Sequence, residues 1–163
     1  MIPEQTPITG RENKNKHPST ICALIDFYDA FNNRNLEKMS ENWSQTYEIA
    51  MDNPLGGIKR GWNEIRTVYE SIFNGPAKVY VEFYDYTIHE TGEMFYAVGR
   101  ERGEFRIGET TIKLAIRTSR IYRLIDGAWR QVHHHGSIDN PELLAQYQKA
   151  VRKGMQGGLH PPK

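Results

Sequence analysis

Apolar residues recur at helical spacing through the first half of the chain and at alternate positions through the second, with the change of period near residue 77. Ser19 can cap a helix that carries Ile21, Leu24, Ile25, Tyr28 and Phe31 on one face. The stretch Asn32 to Asn35 ends it, and Leu36, Met39 and Trp43 mark a short second helix. Tyr47 to Asp52 has strand character and is stopped by Asn53-Pro54 and Gly56-Gly57. A third helix over Gly61 to Phe73 turns Trp62, Ile65, Tyr69 and Ile72 inward before Asn74-Gly75-Pro76. Then follow four strands rich in aromatic and β-branched residues: Lys78 to His89, Met94 to Phe105, Thr110 to Ile125 and Ala128 to Ser137. Asn140-Pro141 opens a last helix, with Leu143, Leu144, Tyr147 and Val151 as its buried side. Helices first and an antiparallel meander afterwards predict an α+β fold, a long curved sheet laid around the helices and enclosing a conical cavity.

One hairpin has a register that follows from its turn. Asp126-Gly127 suits a type I′ turn, in which both central residues need positive φ. Ile125 then pairs with Ala128, and outward from it Leu124 faces Trp129, Tyr122 faces Gln131, Arg120 faces His133 and Thr118 faces His135. Directly opposed residues point to the same side, so these eight form one face. The opposite face, with Arg117, Ser119 and Arg123, is the wetter one. The predicted inner face therefore places an arginine beside two histidines. The turn near Gly108 sets Arg100 near Ser119, and Arg100 shares a side with Tyr96, Val98 and Arg102. If that side is the inner one, Arg100, Arg120 and His133 converge.

Composition narrows the class. The 163 residues suit one domain, with residues 1–17 expected as a flexible tail, 18–153 as the domain and the glycine- and proline-bearing 154–163 as a second tail. A net charge of +1 without a basic stripe gives no electrostatic support for nucleic acid or an anionic membrane as partner. No apolar run resembles a signal peptide or a membrane span, and Cys22 is the only cysteine, so the expectation is a cytoplasmic protein with a reduced, buried thiol.

Arginine is always charged, presents a rigid fork of donors suited to carboxylate or phosphate, and is costly to bury unpaired. A ligand anion could answer Arg100 and Arg120, and so could an internal acid, Glu82, Asp52 or Glu101. His133, His134 and His135 tempt a metal reading. On a strand, however, alternate residues point apart, so at most two reach one ion and no third ligand is placed by spacing. No metal and no cofactor are expected. Asp52 reads either as turn chemistry before Asn-Pro or as a general base at the cavity mouth. Tyr28, Trp43, Trp62 and Tyr96 read as core or cavity wall rather than as catalytic groups. Tyr80, Phe83, Tyr84 and Tyr86 fall on both faces of one strand, which points to a second subunit against the outer side of the sheet.

Over residues 19 to 138 the element order resembles the nuclear transport factor 2-like superfamily, and within it the SnoaL-like domains and the association domain of calcium/calmodulin-dependent kinase II. Asp126-Gly127-Ala128-Trp129, followed by Val132-His133-His134-His135 and Ser137, looks like that association domain's DGKW, VHYH and serine in register. Arg120 and Arg100 then fall on two of its pocket arginines, whereas Gly136 stands at a third and Ile65 at a pocket histidine. The resemblance implies a cone-shaped α+β barrel that commonly dimerises through the outer sheet face. Relatives such as ketosteroid isomerase, polyketide cyclases, scytalone dehydratase and limonene epoxide hydrolase do acid-base chemistry on hydrophobic small molecules. The resulting expectation is a small-molecule-binding protein whose ligand, hydrophobic or carboxylate-bearing, meets Arg100, Arg120, His133, His135, Tyr96, Tyr28 and Trp43. One alternative is a cofactor-independent isomerase, cyclase or dehydratase using His133 or Asp52. Another is a noncatalytic association module. In both main readings the partner is a second copy of the chain.

Overall fold

A computed structural model describes residues 1–157. Helix α1 (Ser19–Asn32) buries Leu24, Ile25 and Tyr28 as the spacing predicts, together with Phe27. Its N-cap is Pro18, without a side-chain cap bond. The Ser19 hydroxyl instead accepts from the Trp129 indole N–H at 3.0 Å and ties the helix to the hairpin. Asn35 caps α2 (Leu36–Asn42) by accepting from the Lys38 amide. Helix α3 (Gly61–Asn74) presents Trp62, Ile65, Tyr69 and Phe73 to the core.

The sheet has six strands, in the order β2 (Lys59–Arg60), β1 (Ala50–Asp52), β6 (Ala128–Ser137), β5 (Thr110–Ile125), β4 (Met94–Ile107) and β3 (Lys78–Thr91). The four long ones, β3 to β6, pair as the expected antiparallel meander. The strand expected over 47–52 shortens to β1 (Ala50–Asp52), which runs parallel to β6 and antiparallel to the two-residue β2 (Lys59–Arg60). On the concave side of the sheet Phe95, Ala97 and Phe105 of β4 face the helices with Ile112, Leu114, Ile116 and Tyr122 of β5. Gly103 permits the close approach of β3, since a Cβ there would lie 1.9 Å from the Tyr80 carbonyl oxygen. Helix α4 (Pro141–Gly157) closes the wide end of the cone, with Tyr147 edge-on to Phe105. The tail expected over 154–163 is thus helical through 157, and its remainder lies outside the described residues.

Of residues 1–17, expected as a flexible tail, positions 4–8 lie against the edge of β3 and Lys14 meets Asp26 of α1. Glu4 exchanges backbone hydrogen bonds with Tyr86, and Ile8 with Phe83. The physical reason is that β3 would otherwise present an unpaired edge. Ile8 supplies the anchor and is only 3% exposed. Ile8→Ala should therefore lower unfolding free energy by roughly 2–4 kcal/mol, as for other buried isoleucines. Denaturant titration checks this, and an unchanged midpoint would mean that the segment does not dock.

Candidate functional site

The Asp126-Gly127 turn forms as its sequence requires, with φ of 50° and 77° at the two residues. The expected register holds from Ile125 opposite Ala128 to Tyr122 opposite Gln131. A β-bulge then intervenes, and Ile121 pairs with His133, Arg120 with His134, and Ser119 with His135. One extra residue reverses which side every following residue faces. His134 thereby joins Arg120 on the concave face, while His133 and His135, expected there, move to the outer one.

Arg120 is 2% exposed and its charge is answered from within. Its guanidinium donates at 2.8 Å to Glu101 and at 2.8 Å to the Gln131 side-chain oxygen, and it lies 3.5 Å above the centre of the Phe27 ring. Glu101, 5% exposed, also accepts from the Tyr28 hydroxyl at 2.6 Å. Burial, and then the Glu101 carboxylate, push the Tyr28 phenol well above its ordinary pKa, so it stays a donor. Of the internal acids considered for the arginines, Glu101 takes Arg120 and Glu82 takes Arg102 at 2.6 Å. Trp43, also buried, donates to the Tyr69 hydroxyl at 3.2 Å and belongs to the packing behind this network.

A cavity of about 70 Å³ reaches this point from the wide end of the cone and is bordered by Glu101, Arg120 and His134. It shares Asn53, Leu55, Val68, Ile72, Val79 and Tyr147 with an apolar pocket of about 310 Å³ under α4. His134 is 7% exposed, and burial, followed by the nearby Arg120 charge, holds its pKa well below 6.5. Among the described residues only two buried side-chain polar atoms lack a hydrogen-bond partner: Nδ1 of His134 and Oγ1 of Thr118. The two residues are diagonal neighbours across β5 and β6.

The other expected site residues do not reach the cavity. Arg100 pairs with Arg117 rather than with Ser119, on the outer face, and its guanidinium meets Asp85 at 3.4 Å. The alternation of Phe95, Ala97 and Phe105 already marks the opposite side of β4 as the buried one. Tyr96 is on the outer face too, stacked on His89 with ring centres 4.5 Å apart. Asp52 runs beside His135 in the parallel β1–β6 pair and accepts from its Nδ1, and His133 Nε2 is 3.6 Å from the same carboxylate. Both proposed acid-base groups therefore sit outside the cone. Among the described residues no group of three or more histidines, cysteines or acids is arranged to hold a metal ion. His134 is the residue that sequence reasoning placed on the wrong face, while Glu101 was named only as one of three possible internal acids. Glu101 was legible as an acid set within the apolar alternation of β4, whereas nothing local announces the bulge.

Two measurements follow from this network. Glu101→Ala leaves a buried guanidinium without its counter-charge and should cost roughly 3–5 kcal/mol in denaturant unfolding, much of it recovered by Glu101→Leu combined with Arg120→Met. His134 is held neutral in the folded chain, while the unfolded chain takes up a proton as pH falls below 6.5. The unfolded state then binds more protons, so stability is fully present above that pH and falls beneath it by up to about 1.4 kcal/mol per pH unit. His134→Leu should flatten this slope, read as the difference between the two pH–stability curves.

A family model described as a SnoaL-like domain matches residues 22–141. No curated protein matches the chain in sequence. Among solved structures, a candidate dehydratase of the nuclear transport factor 2-like family from Streptomyces avermitilis superposes with a TM-score of 0.67 at 15% identity, over 73% of this chain and 93% of that one. A candidate calcium/calmodulin-dependent protein kinase type II association domain from Thiobacillus denitrificans gives 0.62 at 25%, over 76% and 97%. A ketosteroid isomerase-like protein from Erwinia carotovora atroseptica gives 0.62 at 18%, over 76% and 95%. With the family model matching most of the chain, over the residues that form the cone, the chain belongs to the SnoaL-like domain family of the nuclear transport factor 2-like superfamily.

Proposed function

We propose that this protein binds a small, mostly apolar molecule in the cone, its body in the pocket under α4 and one uncharged polar end at His134. The observation that carries the reading is His134, which borders a cavity with an apolar mouth and whose buried Nδ1 has no hydrogen-bond partner. A buried nitrogen without a partner costs about 1–3 kcal/mol, which a ligand hydroxyl or carbonyl would offset. The mouth pocket, about 310 Å³, is of the size that small-ligand sites occupy. A carboxylate end is not favoured, because Glu101 already neutralises Arg120 and would repel it.

The catalytic form of the same reading gives proton transfer to His134 in place of His133 or Asp52. The imidazole has a lone pair to offer, but the burial and the Arg120 charge that keep it neutral also make it a weak base, so binding is favoured over an isomerase, cyclase or dehydratase step on a hydrophobic substrate. A second copy of the chain is the macromolecular partner this reading takes, against the outer sheet face where Tyr96 and Val98 are exposed. Among the described residues no helix is long and apolar enough to cross a membrane.

A thermal-shift screen of small alcohols and ketones beside carboxylates of matched shape tests the ligand class. Uncharged binders should raise the melting temperature, by about 2.7 kcal/mol of stability at a hundredfold excess over Kd. His134→Leu should abolish the shift. Equal shifts in the wild type and in this variant, or shifts confined to carboxylates, would sink the assignment.

A further inference from the structure

One row of paired residues runs across the sheet from the floor of the cone to its edge. Arg120 of β5 lies opposite His134 of β6, His134 beside Met51 of β1, and Met51 opposite Lys59 of β2. Residues paired across a sheet point to the same side, so Lys59 shares the concave face with Met51 and His134. It lines the pocket under α4. Among the described residues it is the only charged side chain that does so, and no acid lines that pocket. The lysines that meet a carboxylate are Lys14, Lys38 and Lys113, whereas Lys59 pairs with none among the described residues. The neutral side chains of the mouth are mostly committed. Thr67 and Ser71 donate their hydroxyl protons to carbonyls of their own helix at 2.6 and 2.9 Å. The side-chain oxygen of Asn53 accepts from the Leu55 amide at 3.0 Å, which leaves its NH2 group to donate.

We propose that the ligand of the cone is an amphiphile with two unlike ends, a medium-chain carboxylic acid whose far end carries a hydroxyl or carbonyl group. The uncharged group lies at His134 and the carboxylate at Lys59 in the mouth. This rests on the reading of the cone given above and adds to it a charge, an orientation and a length. The orientation follows from where charge is already spent. At the floor Glu101 neutralises Arg120 and repels an anion, whereas at the mouth a cation stands with no acid to answer it. The ammonium is a compact charge on a flexible stem, suited to a head group that stays partly hydrated, and the Asn53 amide adds a donor. The length follows from the row. His134 and Lys59 are two strand spacings apart, roughly 10 Å, which an extended chain of about eight carbons covers. A lysine pointing inward from a short edge strand can also serve only to keep other strands away, and the test separates the two roles.

Isothermal calorimetry of the full chain with octanol and with ω-hydroxyoctanoate at low ionic strength tests it. The added carboxylate should tighten binding roughly two- to fivefold, the range of an exposed ion pair, and salt should remove the gain. Lys59→Gln should bring ω-hydroxyoctanoate down to the affinity of octanol and leave octanol itself unchanged. Lys78→Gln, which removes an equal charge from β3 next to the pocket-lining Val79, should leave the gain intact. Failure of octanol to bind the wild type would overturn the reading of the cone, and this inference with it. Octanol that binds with no gain from the carboxylate would overturn this inference alone. So would a gain that survives in Lys59→Gln, or one that is lost equally in Lys78→Gln. Self-association of Lys59→Gln in sedimentation, with both affinities unaltered, would assign the lysine to edge protection instead.

Discussion

The interior is organised by the ion pair between Arg120 and Glu101, with the Tyr28 hydroxyl and the Gln131 amide completing it. It joins α1, β4, β5 and β6, four elements distant in sequence, through groups that cannot be left alone. A buried charge pair contributes little net stability compared with an apolar core, but a misplaced partner is heavily penalised. Its effect is to select one arrangement of helix against sheet. The Phe27 ring beneath the guanidinium adds a second directional constraint on α1.

That arrangement depends on one extra residue in β6. Without the bulge, the concave face would hold His133 and His135, and His134 would face solvent. With it, a single neutral histidine borders the cavity, while its two neighbours share Asp52 outside. Three consecutive histidines therefore do two separate jobs. The inner one sits where burial and a fixed positive charge oppose its protonation. The outer pair is partly exposed and shares the Asp52 carboxylate.

Much of this was legible in the sequence. Helical spacing located Leu24, Tyr28, Met39, Trp43, Ile65 and Tyr69, all buried, and the Asp-Gly turn set the hairpin register as far as Gln131. The resemblance carried by the residues after that turn agrees with the family found. The errors have local causes. A bulge is one residue long, and Val132 carries no glycine or other mark of it. The β4–β5 register was off by two at Arg100 because the loop at Gly108 has no diagnostic dipeptide. Arg100 was expected inside on the condition that its side of β4 is the inner one, whereas the charges at Arg100, Arg102, Glu104 and Arg106 describe a wet face. The docking of the first residues was invisible because Ile8 is a lone apolar residue in a polar segment, and what recruits it is an edge formed some 75 positions later.

That strap of chain has a consequence for the protein's behaviour in solution. Strand β3 is 14 residues long and carries Tyr80, Phe83, Tyr84 and Tyr86, the composition of a segment that readily templates other strands. The covering residues hold it at two points, Tyr86 and Phe83, through backbone hydrogen bonds on each. Proteolytic nicking or a bulky fusion in the first eight residues would thus act as a solubility lesion before it acted on any ligand. The cone and its histidine would remain intact inside a molecule that has acquired an adhesive border.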